Sequence, residues 1–116
     1  MRLNMENIID KKDKILYLTL KKQWFDMIND GIKTEEYREI KPYWVKRLEG
    51  RKYDIVEFRN GYQKDAPKMR FKIKEISINT GNIQWGAENN TSYYVIKLGE
   101  RYYEYRQNFK YRQKNS

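Results

Sequence analysis

At 116 residues the chain has room for one compact domain and too little for two ordinary ones. It contains no Cys, which excludes disulfides, thiolate metal sites and a cysteine nucleophile, and no His, which excludes imidazole-dependent hydrolases, the usual zinc ligand sets and a histidine switch. The formal net charge of +9 favours contact with polyanions, although residues 101–116 hold five bases against one acid while residues 15–100 hold 16 against 12.

Residues 1–13 are polar and read as a loose leader, residues 14–100 as the domain, and residues 101–116 as a basic, Tyr-rich tail. Residues 15–20 are apolar on both parities, as in a strand buried on two sides or one closing a barrel. Over residues 21–30, Trp24, Phe25 and Ile28 give an amphipathic helix with core-facing aromatics, and Gly31 stands where a C-terminal cap belongs. Residues 33–40 return to extended character. Pro42 then opens a second short helix carrying Tyr43, Trp44, Val45 and Leu48, of which Trp44 and Leu48 are expected in the core.

Residues 53–60 read as a strong strand ended by the turn pair Asn60-Gly61. Residues 69–78 alternate, but the apolar parity slips from Phe71 and Ile73 to Ile76 and Ile78, which predicts a β-bulge or a sharp bend near Lys74-Glu75. Residues 79–92 are expected to be a long loop with one buried or ligand-facing aromatic, Trp85. Residues 93–98 form the last strand, broken at Gly99, and the tail is open between an added strand, a helix and disorder. The sum is an α+β domain: a small, closed sheet of five to six short strands with two short helices, its core built on 11 Tyr, 3 Trp and 4 Phe. The longest apolar runs fall far short of the roughly 20 residues of a membrane span, and the expected setting is cytoplasmic, with no membrane partner.

Chemistry concentrates in Gly31-Ile32-Lys33-Thr34-Glu35-Glu36-Tyr37-Arg38. An extended backbone places Thr34, Glu36 and Arg38 on one face and Glu35 and Tyr37 on the other, so a carboxylate neighbours a guanidinium. Such a pair can accept base N–H groups and offer a planar fork, with Lys33 reaching over the same pocket; the alternative is an ion-pair network that only fixes the sheet. Arg59, Asn60 and Tyr62 form a second cluster able to read base edges and stack, and Trp85 is a candidate stacking platform. The sequence offers no dedicated metal-ligand cluster, and no cofactor is expected.

The segment 31–38 resembles the GxKxxExR signature of the ASCH superfamily, relatives of the PUA domain, with Gly31, Lys33, Glu36 and Arg38 at its four positions. The order of elements and the closing YYVIKLG also fit, over roughly residues 14–99, and EEYREIKPYW looks like small ASCH proteins of phages and prophages. The resemblance implies a PUA-like β-barrel whose signature residues Lys33, Glu36 and Arg38 line a cleft that takes RNA or a nucleotide-like ligand; Tyr37, Arg59, Asn60, Tyr62 and Trp85 join them as binding residues on the reading of the residues themselves. Some members are amidohydrolases of an acylated cytidine; their lysine maps to Lys33, but their nucleophilic threonine falls on Glu36, and a carboxylate cannot replace that hydroxyl. Others are linked to ribonuclease activity, which without His would need Lys33 and Glu36 as acid and base or a bound metal, with Glu35, Glu36 and Arg38 open to recruitment. Ligand binding ranks first, an enzyme on a modified nucleoside or RNA second, and a phage effector binding a host protein through its tyrosines third.

Overall fold

The computed structural model describes residues 12–103; most of the expected leader and the tail from residue 104 onwards lie outside them. Five strands and two helices follow in the order β1 (Ile15–Thr19), α1 (Lys22–Asn29), β2 (Glu35–Glu39), α2 (Pro42–Leu48), β3 (Ile55–Arg59), β4 (Lys68–Thr80) and β5 (Ser92–Tyr102). The strands form one curled sheet in the order β1-β3-β4-β5-β2, with β1 parallel to β3 and every other pair antiparallel. No helix among the described residues is long and apolar enough to cross a membrane.

The expected closed sheet is instead a half-barrel, because among the described residues β1 and β2 are its two edges and no backbone ladder joins them. β1 is accordingly buried on one side only: Leu16 and Leu18 enter the core while Tyr17 is 52% exposed. Nor are all strands short, since the β4–β5 hairpin has arms of 13 and 11 residues. The inner face carries Leu16, Leu18, Val56, Phe58, Met69, Phe71, Tyr94 and Ile96, and α1 and α2 add Phe25, Ile28 and Leu48 to the same core.

The parity slip in β4 is a real irregularity. Ile73 pairs with Leu98 but Phe71 with Arg101 and Glu75 with Lys97, so β5 carries one extra residue and β4 another, at Lys74. Gly99 therefore seats a bulge rather than breaking the strand: a Cβ there would lie 3.3 Å from the Lys72 carbonyl, and β5 runs on through Arg101 and Tyr102, past the expected boundary. The loop expected over 79–92 shrinks to 81–91, because Asn79 and Thr80 pair with Tyr93 and Ser92, and it contains a single 3₁₀ turn at Ile83–Trp85.

Candidate functional site

α1 ends in a way that fixes everything after it. Gly31, at φ +76°, donates to the Ile28 carbonyl at 3.1 Å and Ile32 to that of Met27 at 2.9 Å, the paired bonds of a Schellman motif. Lys33 N–H also reaches Met27 O, at 3.1 Å, so the chain turns back beside the helix and sends the Lys33 side chain inward, where the residue is 1% exposed.

From there strand alternation acts as the sequence implies. Glu36, 6% exposed, places one carboxylate oxygen 3.0 Å from Lys33 Nζ and the other 2.8 Å from Arg38 Nη2. The Lys33 ammonium also donates to the Glu35 carbonyl and lies 4.7 Å from the ring centroid of Tyr37 and 5.7 Å from that of Trp24. Burial pushes the Lys33 pKa down, outweighing the attraction of Glu36. Arg38 spans the gap between the sheet edges: its Nη2 donates to the Thr19 carbonyl at 3.3 Å and its guanidinium lies 5.2 Å from the Trp44 ring, while its Nε is buried without a partner.

On the opposite face of β2, Tyr37 OH donates to Glu35 Oε1 at 2.8 Å and accepts from the Asn82 N–H at 2.9 Å. Burial raises this phenol to about 12; the Asn82 N–H opposes the rise and Glu35 adds to it. Tyr93, its neighbour at 5.7 Å between centroids, accepts from the Glu88 N–H at 2.9 Å. The 81–91 loop is thus held at both ends by phenols of the sheet, and its middle rests on α1, where Gly86 packs against the Trp24 indole.

Between the open edges and this loop lies a cleft of about 640 Å³, lined by Trp24, Trp85, Tyr37 and Tyr93 together with Glu36 and Arg38. Its charged lining is balanced: Lys21, Arg38 and Lys41 face Glu36, Glu39 and Glu88, and Lys41 is paired with Glu39 at 3.3 Å. Aromatic walls beside a guanidinium–carboxylate pair can hold a planar, hydrogen-bonding ring. Among the described residues, no group of three or more Asp or Glu side chains comes together to hold a metal ion.

Of the residues expected from sequence, Glu36, Tyr37, Arg38 and Trp85 line this cleft, and Lys33 is enclosed against Glu36 rather than open to it. Arg59, Asn60 and Tyr62 do not line it. Arg59 donates to the Gln63 carbonyl at 2.6 Å, Asn60 Nδ2 to the Leu20 carbonyl at 3.0 Å, and Tyr62 stands 85% exposed. Trp24, expected in the core, is a half-buried cleft wall, whereas Trp44 packs on the core as expected. Tyr93 was not anticipated, because only the pairing of β2 with β5 brings it opposite Glu39 and beside Tyr37. Compared with protein-family models, curated proteins and solved structures, the chain matches none.

Proposed function

We propose that this chain is an ASCH-type, PUA-like domain that binds RNA or a nucleotide-like ligand in the cleft beside β2. The observation that carries the reading is the meeting of four aromatic walls with an oriented Arg38 in one cleft. In this reading a base stacks against Trp85, Trp24 or the phenols, and Arg38 supplies donors to its edge. Glu36 and Trp44 hold the guanidinium in place, so little rotamer freedom is lost on binding. Lys33, enclosed, acts on the ligand only through Glu36.

The test is a Trp-fluorescence titration with nucleoside monophosphates and short single-stranded RNA, since two of the three tryptophans line the cleft. Saturable quenching is expected, weakened in Arg38→Ala by about 1–3 kcal/mol, the value of one well-placed base-edge contact. If no nucleotide or RNA alters the fluorescence, the reading is wrong.

A further inference from the structure

Arg59 and Tyr62 are not part of the cleft, yet they stand at one end of a distinct surface. Strand register sets the side chains that alternate with the core-facing ones in rows: Thr19 is opposite Arg59, which is opposite Lys68; Tyr17 is opposite Glu57, then Arg70, then Tyr102; Ile15 is opposite Ile55, then Lys72. Ile55 and Glu57 are buried, so these rows open to the surface at Arg59 and along β4. Lys68, Arg70 and Lys72 therefore follow one another along the outer face of β4 at intervals of about 6.7 Å, two strand residues each. Lys74, in the bulge, extends the line.

This arrangement is electrostatically costly when nothing covers it. Arg59 and Lys68 are directly opposed like charges, a pairing that destabilises a sheet. Among the described residues the face has one buried counter-charge, Glu57, and Arg70 holds it at 2.7 Å. Among the described residues Lys68, Lys72 and Lys74 make no ion pair, and all three are exposed. Beyond Lys72 the line borders a second hollow of about 610 Å³, where Arg51 and Lys52 add positive charge beside Asp13, Asp54 and Glu75. The cleft, by contrast, has balanced charge. Exposed phenols flank the start of the line, with Tyr17 52% and Tyr62 85% exposed. The two surfaces also join: Thr19 lines the cleft and sits in the same row as Arg59 and Lys68.

We propose that the exposed side of β4, with Arg59 of β3 at its start, is a track for the sugar–phosphate backbone of a single-stranded nucleic acid, which leaves the cleft over Thr19 and passes along Arg59, Lys68, Arg70, Lys72 and Lys74. The inference rests on the reading of the cleft as a base site and divides the work: the cleft holds a base, and the track holds phosphates. A line of cations, of which Lys68, Lys72 and Lys74 make no ion pair among the described residues, complements a line of phosphates, and Tyr17 and Tyr62 offer π-faces that every base can meet.

The experiment measures binding of fluorescein-labelled oligouridylate and oligothymidylate to the full chain by polarisation over a salt series, alongside cleft binding of nucleoside monophosphates by Trp fluorescence. The variant is Lys68→Gln with Lys72→Gln, two exposed positions outside the core. Oligonucleotide affinity is expected to fall about tenfold, and the slope of log K against log salt to shrink by about 1.4, two single-strand contacts. Both polymers should lose affinity, because phosphate is common to them, and monophosphate binding should stay at its wild-type value. Wild type and variant carry the same basic tail, so its contribution cancels in the comparison. If monophosphates bind neither protein while the oligonucleotide loss persists, the cleft reading falls and the track stands. An unchanged affinity and slope would overturn the track, as would equal competition by polyglutamate, which would make the face a surface for acidic proteins.

Discussion

The carboxylate of Glu36 meets Lys33 through one oxygen and Arg38 through the other, so the two ways of dismantling this triad are unequal. Glu36→Ala strands a fully enclosed ammonium, and uncompensated buried charge of that kind costs about 3–5 kcal/mol. Lys33→Met removes the ammonium, fills its space with an apolar chain and leaves Glu36 its arginine, so it should cost less. Urea unfolding of the two variants decides the point, and the reverse order would mean that Lys33 serves Tyr37 and Trp24 more than Glu36. Tyr37 has its own signature in pH. Its folded pKa, about 12, lies above the ordinary value of 10.0, so the folded state keeps a proton that the unfolded chain gives up. The stability tied to this phenol is therefore complete below pH 10 and lost as pH climbs towards 12. Tyrosinate absorbance of wild type minus Tyr37→Phe should show one late titration, and the variant should lose less stability over that interval. A difference curve centred near 10 would remove the burial argument.

The 81–91 loop shows how an element with little regular structure can be pinned to its neighbours. Asn82 and Glu88 anchor it to Tyr37 and Tyr93, and Gly86 lets it close onto α1 with φ +101° and no Cβ. A methyl group at Gly86 would sit 2.9 Å from Trp24 Cζ2, whereas one at Gly31, also left-handed at φ +76°, would meet nothing within 4 Å. Gly31→Ala thus costs the conformational penalty alone, roughly 1–2 kcal/mol. Gly86→Ala should cost about 1–3 kcal/mol more, as overpacking does, and should shift the Trp emission that reports the cleft wall. Thermal unfolding of both variants provides the comparison; equal losses would mean that Trp24 gives way freely. The same elements mark how far the sequence could be read. Pattern located both helices, all five strands and the bulge near Lys74, because each rests on local periodicity or a glycine, proline or parity signal. The face shared by Glu36 and Arg38 was legible for the same reason. What depends on non-local pairing was hidden: β2 beside β5, Tyr93 beside Tyr37, and Trp24 turned from the core to the cleft by a loop some sixty residues further on. Gly99 was misread because one residue type serves both as a strand break and as the seat of a bulge.

For the molecule as a whole, the open side of the half-barrel is the feature that creates the site. Two sheet edges left unpaired would expose backbone groups and invite pairing with another chain. Here side chains bridge the gap instead: Arg38 Nη2 donates to the Thr19 carbonyl at 3.3 Å and Arg47 Nη2 to the Tyr17 carbonyl at 3.0 Å. Both guanidiniums lie against one ring, Trp44, at 5.2 and 5.5 Å, so α2 links the two edges through a single indole on the core. An arginine bridge holds the edges apart at a width that a backbone ladder would have closed, and the cleft occupies that width. Trp44→Leu keeps an apolar group on the core but removes the ring from both cations, each contact being worth about 0.5–2 kcal/mol. Hydrogen exchange should then quicken at least about fivefold in β1 and β2, while β3, β4 and β5 keep their protection. If the cleft is the base site proposed above, nucleotide affinity should fall with it, because Arg38 loses one of its three supports and keeps Glu36 and the Thr19 carbonyl. Uniform acceleration across all five strands would show that Trp44 stabilises the core in general and that the edges are held by something else.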